Sequence, residues 1–430
     1  MANEAEAHRA PRGVEDVLPE AIPRWERLER TAATLARLRG FREIRPALLE
    51  HTSLFTRSIG EVTDIVEKEM FTIERGGSSY TLRPEGTAGI VRAYLQAGYA
   101  KTAPVQRLFH IGPMFRYERP QKGRERMFTQ FDVEALGSTD PRLDAEVIHL
   151  AALFFEELGV AGLEVRVNSM GDGEDRDRWR EAVREFLRPA MNERCALCRE
   201  RFGRNVLRVL DCKEPRCKAR NAGAPAILDF LADANALHFR TVIALLEDLG
   251  RTVVVDPGIV RGFDYYTRTV FELHYPRLGA RSALCGGGRY DHLIRDIGGP
   301  DLGAVGFAIG FTGTLLVLDE LGLAGADRAE PPPAFVVTAS EDLAAPGFLL
   351  AEELRRAGIG AVYDVDGRTL KNQMKVANRG GHRFAVILGA REVEGGIVQL
   401  KDMVEGEQTE VPRARVVEEI RRRLGPGEVH

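Results

Sequence analysis

Cysteine is scarce in this sequence, and long apolar runs are missing from it. Its 430 residues include 5 cysteines, which is too few for a disulfide scaffold in a chain of this length. No apolar run approaches the roughly 20 residues that a membrane-spanning helix needs. The N-terminus, MANEAEAHRAPRG, is polar and lacks the apolar core of a signal peptide. We therefore expect a cytoplasmic protein that has no membrane partner.

A strong net charge of either sign is absent too. The formal net charge is −4 and the pI is about 6.2, so no global basic field marks the chain as a histone-like nucleic-acid binder. A local basic patch stays compatible with these values. Apolar residues make up 44% of the chain and charged residues 29%, which is typical of a soluble globular enzyme with about two or three domains.

The clearest linker is AGADRAEPPP, residues 324–333, in which small and charged residues lead into a proline run. After it, strand patterns such as AFVVTAS and RFAVILG alternate with helical ones such as LLAEELRRAGI, which predicts an α/β domain. Before it, strand patterns follow one another, which predicts an α+β domain with a mostly antiparallel sheet backed by helices. The predicted bounds are 1–325 for this domain, about 172–240 for a helical module inserted in it, 326–333 for the linker and 334–430 for the α/β domain.

Four of the cysteines lie close together in the inserted module. Cys195 and Cys198 are the first and last residues of the motif CALC. Cys212 and Cys217 are the first and last residues of the motif CKEPRC. Two close pairs of cysteines are typical of a tetrahedral zinc site in a reducing compartment. The second pair is more widely spaced than usual, so a structural zinc ion and four reduced thiols both remain open.

The stretch FRYERPQKGRERMFTQFDVE, residues 115–134, gathers cations at its start and carboxylates at its end. Because side chains alternate along a strand, Gln130, Asp132 and Glu134 share one face and the apolar residues between them share the other. The pattern predicts a hairpin. Its polar face is either a water-facing surface or a site that holds a phosphate near Arg116 and an ammonium or ring N–H near Gln130 and Glu134.

This hairpin resembles motif 2 of the class II aminoacyl-tRNA synthetases, in the form found in histidyl-tRNA synthetases. TLRPEGTA (81–88), VRGFDYYTRTVFE (260–272) and CGGGRYDHL (285–293) resemble the other signature segments of that family, in the same order and spacing. The resemblance implies a class II catalytic domain and a C-terminal anticodon-binding domain. It also implies that L-histidine is activated by ATP, with Mg²⁺, to histidyl-adenylate and transferred to tRNA(His). FREIRPALLE, around Pro46, resembles motif 1 and implies a homodimer.

The resemblance also implies roles for individual residues. Arg116 and Arg261 match the two catalytic arginines at the α-phosphate of ATP, and Arg261 also reaches histidine. Glu118 and Arg124 match ATP-binding residues next to Arg116. The remaining residues that match the histidine pocket are Glu85, Gly86, Thr87, Gln130, Glu134, Tyr265, Tyr266 and Tyr290.

Motif 3 departs from the family pattern. GFAIGFTGTLLVLDEL has Thr312 and Gly313 where the family has glutamate and an arginine that reaches the γ-phosphate. The loss predicts weakened ATP binding and leaves a second interpretation, a non-catalytic histidine-sensing paralog such as the regulatory subunit of ATP phosphoribosyltransferase. The RGFDYY segment and the C-terminal domain, whose basic run begins at Arg368 and ends at Arg379, favour the ligase.

Overall fold

The computed structural model describes residues 8–59, 63, 65–121, 123–210, 212–259, 265–277, 283–323 and 331–425. The chain divides into two compact units, Met1–Asp327 and Arg328–His430. Most of the predicted linker lies outside the described residues, and the predicted domain bounds stay predictions. Among the helices in the described ranges, none is long and apolar enough to cross a membrane.

The first unit combines eleven strands and eleven helices in the part of the chain that the structure describes. Its strands are β1 Arg42–Glu43, β2 Leu49–His51, β3 Phe71–Arg75, β4 Ser78–Leu82, β5 Gln106–Phe115, β6 Met127–Leu136, β7 Glu164–Ser169, β8 Val253–Val255, β9 Thr267–His274, β10 Ala283–Arg289 and β11 Ala304–Gly310. Its helices are α1 Ile22–Arg37, α2 Thr52–Ile59, α3 Thr87–Gln96, α4 Tyr99–Thr102, α5 Pro141–Glu157, α6 Glu174–Leu187, α7 Ala196–Arg204, α8 Pro215–Ala219, α9 Asp233–Asp248, α10 Leu293–Asp296 and α11 Phe311–Glu320.

An eight-stranded sheet forms the centre of this unit, in the order β1-β5-β6-β11-β10-β9-β7-β8. Its pairs are antiparallel except β1 with β5 and β7 with β8, which are parallel. The predicted antiparallel, helix-backed architecture is therefore confirmed. A separate three-stranded sheet, β2-β4-β3, is formed by the segment that precedes β5.

Helices α1 and α5 pack on one face of the large sheet. The alternating apolar residues Phe131 and Val133 of β6 are fully buried there, together with Leu28 of α1 and Phe154 of α5. The buried residues Leu28, Ala32 and Leu35 of α1 lie on one helical face, whereas Leu38, which follows the last residue of the helix, is exposed.

The inserted module leaves the sheet after β7 and returns at β8, its parallel neighbour. It contains α6 to α9 and short 3₁₀ turns at Arg188–Glu193, Val206–Val209 and Ile227–Phe230, as the helical pattern predicted. Its last helix, α9, continues past the predicted end at about 240. The reason is packing, since Val242 and Leu246 of α9 are fully buried in the core that also contains Phe154 of α5.

The second unit is a sandwich around a five-stranded sheet, in the order β13-β12-β14-β15-β16. The strands are β12 Ala334–Thr338, β13 Ala361–Tyr363, β14 Phe384–Leu388, β15 Ile397–Asp402 and β16 Gln408–Pro412, and the helices are α12 Ala344–Arg356, α13 Leu370–Arg379, α14 Ala390–Glu394 and α15 Val416–Leu424. Helices α12 and α15 share one apolar core with the sheet, and α13 packs in a second core that contains Phe335 and Val337. The strand and helix alternation predicted for this region is confirmed.

Candidate active site

The hairpin β5–β6 carries the centre of the site on the sheet face opposite α1 and α5. Its register pairs His110 with Asp132 and Gly112 with Gln130. The alternation predicted for β6 is confirmed, but the polar face is not a water-facing surface, because Gln130, Asp132 and Glu134 are all buried. β5 ends at Phe115, so Arg116 opens the loop between the strands.

Three buried carboxyl groups converge on this face: Glu85, Asp132 and Glu134. Burial raises the pKa of each of them above its ordinary value, most strongly for Asp132 and Glu134. The negative charge of Glu85 raises the pKa of Asp132 further, while the guanidinium groups of Arg83 and Arg116 lower it. A cationic ligand would therefore interact favourably with this face of the sheet.

Glu85 is fixed by the start of α3. Its two carboxylate oxygens accept hydrogen bonds from the backbone N–H groups of Thr87, at 2.7 Å, and Ala88, at 2.9 Å. These are N–H groups that the first turn of a helix leaves without partners. The sequence PEGT therefore holds its own glutamate at the mouth of the helix, where the helix dipole also favours a negative charge.

Glu134 lies at the back of the same face. Its Oε1 accepts a hydrogen bond from the Thr87 hydroxyl at 2.6 Å, and its Oε2 accepts one from the Tyr290 hydroxyl. β11 passes directly beside it, with Gly306 opposite Glu134 in the register. A Cβ atom on Gly306 would overlap the Glu134 carboxylate, so only glycine leaves room for this side chain.

Three tyrosines form an aromatic wall of the site. Tyr265, Tyr266 and Tyr290 are buried, and their rings contact one another at centroid distances of 4.7 Å, 5.5 Å and 6.4 Å. Burial raises the pKa of the Tyr265 hydroxyl well above its ordinary value. Tyr265 therefore stays neutral at physiological pH, and the three tyrosines offer ring faces and hydroxyl groups to a small planar ligand.

Glu85, Asp132 and the three tyrosines line a pocket of about 160 Å³. Its walls are Glu85, Gly86, Thr87, Arg116, Gln130, Asp132, Tyr265, Tyr266, Gly286, Tyr290, Gly306, Phe307 and Ala308. Glu134 does not line this pocket itself but contacts two of the lining residues, Thr87 and Tyr290. Gln130 Oε1 and Asp132 Oδ2 are buried and have no hydrogen-bond partner among the described residues. Buried acceptors normally have partners, so these two oxygens indicate that a donor from a bound ligand belongs in the pocket.

A larger cleft of about 930 Å³ lies next to this pocket. Arg116 is the residue that lines both cavities. Its Nε donates to the carbonyl of Pro84 at 2.7 Å, and its guanidinium carbon lies 5.4 Å from the ring centroid of Phe128. One of its terminal nitrogens also lies 4.0 Å from the Glu118 carboxylate. The side chain is therefore held in place at the point where ligands in the two cavities would meet.

The walls of the cleft also contain Glu118 and Arg124, whose side chains approach to 3.4 Å. The Arg124 side chain is 60% exposed, so it can leave this contact without a large desolvation change. Thr312 donates to Glu125 at 3.2 Å. Gly313 lies on the wall as well, and a Cβ atom built there would meet nothing within 4 Å among the described residues.

Asp132 is a pocket residue to which sequence reasoning assigned no role. The signal was present, since Asp132 alternates with Gln130 and Glu134 on one strand face. Arg83 was missed entirely. It is buried, donates to the carbonyls of Pro113 and Pro46 at 2.9 Å, and donates to His110 Nε2 at 2.7 Å. It thus joins the motif 1-like segment to the β5–β6 hairpin, a link between distant segments that no local pattern reveals.

The tautomer of His110 follows from that contact. A guanidinium group only donates, so Nε2 of His110 accepts and Nδ1 donates to the carbonyl of Ile44 at 2.9 Å. Burial, together with the positive charge of Arg83, lowers the pKa of His110 to about 4. His110 is therefore neutral. It is the cross-strand neighbour of Asp132 and adds no positive charge next to that carboxyl group.

The structure brings most of the predicted site residues together. Arg261 lies outside the described residues, so its predicted position beside Arg116 stays a prediction. The cysteine cluster lies apart from the two cavities, in the inserted module. In the second unit, Lys371, Lys375 and Arg379 are exposed on α13, whereas Arg368 precedes the helix and forms ion pairs with Asp364 and Asp366.

The mostly antiparallel sheet and the motif 2-like hairpin agree with the catalytic domain of the class II aminoacyl-tRNA synthetases, the class that the sequence resembles. Comparison with known sequences agrees with this class. The family model described as Histidyl-tRNA synthetase matches residues 13–171 and 198–313, and the one described as Anticodon binding domain matches residues 334–423. The chain belongs to the histidyl-tRNA synthetase family.

Individual relatives support the same assignment. The histidine–tRNA ligase of Moorella thermoacetica is 47% identical over 419 residues, which are 96% of this chain and 97% of that protein. The crystal structure of apo S. aureus histidyl-tRNA synthetase matches with a TM-score of 0.81 at 34% identity, covering 96% of this chain and 99% of that one.

A third match concerns the second interpretation, a non-catalytic histidine-sensing paralog. A protein from Bacillus halodurans C, described as an ATP phosphoribosyltransferase regulatory subunit/histidyl-tRNA synthetase, matches with a TM-score of 0.62 at 22% identity, covering 89% of this chain and 98% of that one. At this identity the match shows a shared fold and nothing more. The high-identity relatives that span the chain support the ligase instead.

Proposed function

We propose that this protein is a histidine–tRNA ligase, which uses ATP to convert L-histidine to histidyl-adenylate and then transfers the histidyl group to tRNA(His). The observation that carries the proposal is the position of Arg116 on the wall of both cavities. A reaction between a carboxylate in one cavity and a phosphate in the other needs a cation at that junction, since both groups are anionic.

The smaller pocket is the proposed histidine site. The ammonium group of histidine complements the buried carboxyl groups, and Asp132 Oδ2 and Gln130 Oε1 are acceptors with no partner in the described structure. Tyr265, Tyr266 and Tyr290 enclose the imidazole ring. Glu134 already accepts from Thr87 and Tyr290. Because a carboxylate offers about four lone-pair sites, it can accept a further bond from a ring N–H.

The larger cleft is the proposed ATP site. In the activation step, a carboxylate oxygen of histidine forms a bond to the α-phosphorus while the bond to the pyrophosphate oxygen breaks. Catalysis of this kind depends on positioning and on stabilising the charge of the transferring phosphoryl group. Arg116 supplies that charge in the proposal, with Arg261 as its partner. Glu118 and Arg124, which lie further along the cleft wall, contact the nucleotide.

ATP is expected to enter this cleft as its magnesium complex. Mg²⁺ keeps several waters and usually takes one or two carboxylates together with phosphate oxygens. Glu118 and Glu125 on the cleft wall are donors of this kind, so the residues present fit a magnesium ion that arrives with ATP. When bound, the ion neutralises phosphate charge.

Gly313 sets the expected strength of ATP binding. The family's arginine at this position reaches the far end of the triphosphate, whereas bond formation takes place at the α-phosphate, beside Arg116. A charge-assisted hydrogen bond contributes roughly 1.5–3 kcal/mol, and about 1.4 kcal/mol corresponds to tenfold. The substitution is therefore expected to weaken the use of ATP on the order of 10- to 100-fold without abolishing activation.

The second unit is the proposed binding site for the anticodon stem of tRNA(His). Lys371, Lys375 and Arg379 lie one helical turn apart on α13 and are exposed. Cations in such a row can follow a phosphate backbone. A tRNA and ATP are both cytoplasmic substrates, which supports the expectation that the protein is cytoplasmic.

We also propose that the protein is a homodimer. The motif 1-like segment lies at the ends of both sheets of the first unit: β1 is an edge strand of the large sheet and β2 of the small one. Leu48 and Leu49 in this segment are about half exposed, and apolar side chains beside open strand edges are typical of interfaces. Sedimentation is expected to show a single species of twice the chain mass, and a stable monomer would contradict the proposal.

One specific observation, Gly313, favours the histidine-sensing paralog as a second candidate. Histidine-dependent exchange of pyrophosphate into ATP separates the two, because only an enzyme that forms histidyl-adenylate catalyses it. We expect exchange at a high ATP concentration. Tight histidine binding without exchange at any ATP concentration would instead support the sensing protein.

A further inference from the structure

The cysteines of the inserted module converge although they come from three separate segments. Cys195 precedes α7 and Cys198 lies in its first turn, Cys212 follows the 3₁₀ turn Val206–Val209, and Cys217 lies within α8. Their sulfur atoms all lie within 4.8 Å of one another. The fifth cysteine, Cys285, belongs to β10 in the large sheet and is not a member of this cluster.

We propose that Cys195, Cys198, Cys212 and Cys217 hold one structural zinc ion as a tetrahedral tetrathiolate site. Zinc–sulfur bonds of about 2.3 Å place the sulfurs of a tetrahedral site about 3.8 Å apart. The sulfurs of Cys195 and Cys212 are 3.9 Å apart. Two disulfides would bring the sulfurs together in bonded pairs, whereas these cysteines are all free and their four sulfurs lie within 4.8 Å of one another.

The backbone around the cluster is arranged as a thiolate site requires. The Cys198 N–H donates to the Cys195 sulfur at 3.4 Å, and the Cys195 N–H donates to the Cys217 sulfur at 3.3 Å. Donors of this kind stabilise deprotonated sulfur, the form that binds metals. Cys198, Cys212 and Cys217 are buried, so the site is closed to water, as structural rather than catalytic zinc sites are.

A buried cation next to the cluster supports an anionic centre. Arg194 is 3% exposed, and its guanidinium donates to the carbonyls of Cys217 and Arg220 and to Asn221 Oδ1. In the described residues these acceptors are all neutral. A buried charge is costly without a counter-charge, and a zinc ion with four thiolates has a net charge of −2. The proposed centre therefore provides the counter-charge that Arg194 otherwise lacks.

The zinc ion would stabilise the part of the inserted module that contains α7 and α8. Helix α7 spans 9 residues and α8 spans 5, and helices this short are not stable in isolation. Asn221 links the same segments, because its Nδ2 donates to the carbonyls of Val209 and Leu210. Zinc would join the segments at a second point, where Cys198, Cys212 and Cys217 belong to an apolar cluster that also contains residues outside the module, such as Tyr94 and Leu136.

The test uses the full-length protein, purified without added metal and dialysed against a weak chelator. Elemental analysis is expected to find about one zinc per chain. A mercurial thiol reagent should release this zinc into a colorimetric indicator as the cluster thiols react. Replacement of the zinc by Co²⁺ should give the absorption bands of tetrahedral cobalt–thiolate coordination, and removal of metal with a strong chelator should lower the melting temperature.

Cys212→Ser is expected to lose most of the zinc, and Cys285→Ser is the matched control that should keep all of it. The wild-type measurements do not depend on the folding of the variants. Less than about a tenth of a zinc per chain, with four titratable thiols in the native protein or two disulfides, would overturn the proposal, and so would iron in place of zinc. None of these readouts depends on ligase activity.

Discussion

The Oδ2 atom of Asp132 lies 2.5 Å from the point at which a Cβ atom on Gly86 would stand. Gly86 has φ −91° and ψ −32°, a conformation open to any residue, so glycine is needed there for space and not for backbone freedom. The absence of one methyl group at the start of α3 thus allows a buried carboxylate to point into the smaller pocket.

Gly86→Ala is expected to displace the Asp132 carboxylate and to raise the KM for histidine in pyrophosphate exchange on the order of 10- to 100-fold, as for a lost charge-assisted hydrogen bond. The KM for ATP should change little. Gly89→Ala, in the same helix, is the control, because its added Cβ would meet Pro46 at an ordinary 3.5 Å. Equal effects of the two substitutions would contradict the role given to Asp132.

Asp132→Asn is expected to weaken histidine binding while stabilising the protein without substrate at neutral pH. Burial raises the pKa of Asp132 in the folded state, so the folded protein binds more protons than the unfolded chain above the ordinary pKa of aspartate. The stability of the wild type then falls as pH rises through the raised pKa. Asparagine carries no such charge and should flatten the decline.

Melting temperatures of both proteins across a pH series, with and without histidine, check this prediction. Histidine should restore stability to the wild type more than to the variant, because its ammonium group offsets the buried negative charge. Calorimetry in buffers of different ionisation enthalpy should also show proton release on binding that is smaller in Asp132→Asn. A wild-type melting temperature that does not change as the pH rises above the ordinary pKa of aspartate would contradict the presence of this buried charge.

Gly313→Arg is expected to lower the KM for ATP on the order of 10- to 100-fold and to leave the KM for histidine unchanged. The new side chain has space, because nothing described lies within 4 Å of its Cβ position, and it would extend from the cleft wall. Gly313→Gln, which has a long side chain without charge, is the matched control. A loss of exchange in the arginine variant would contradict the role assigned to this position.

Arg116→Ala is expected to reduce kcat for adenylate formation by at least about 100-fold, since removal of one preorganised charge donor typically costs 10²–10³ in kcat. Arg116→Lys should recover only part of this loss, because lysine cannot keep the Nε contact to Pro84 and present a second donor in the same plane. Arg119→Ala is the control, because it removes an exposed arginine of the same loop. Single-turnover measurements separate chemistry from binding, and an Arg116→Ala enzyme with normal kcat would exclude the mechanism.

Reversing two charges on α13, Lys371→Glu with Lys375→Glu, is expected to reduce charging of tRNA(His) strongly and to leave pyrophosphate exchange intact. Both residues are exposed on that helix. The control is Arg421→Glu with Arg422→Glu on α15, which packs in the other core of the sandwich. The salt dependence of tRNA binding should also become less steep in the α13 variant. If the α13 variant and the α15 variant charge tRNA(His) equally well, α13 is not part of the tRNA site.

Sequence periodicity by itself determined the architecture of both units. The alternation of Phe131 and Val133 with the polar residues of β6 defined two faces, and burial of one face against helices follows from the hydrophobic effect alone. The alternating strands and helices after residue 333 defined the α/β sandwich in the same way. These are local properties, because a period of two or of 3.6 residues is set by the backbone of one strand or helix.

Only the tertiary structure decided the composition of the site. Glu85 follows β4, Asp132 belongs to β6 and Tyr290 follows β10, and no local pattern brings these segments together. The raised pKa values have the same origin, since they arise from burial by residues distant in sequence. Arg368 shows the reverse case: the sequence placed it in a basic run, but its ion pairs with Asp364 and Asp366 separate it from the row on α13. Sequence fixes which faces are buried, and long-range packing determines which charged groups meet there.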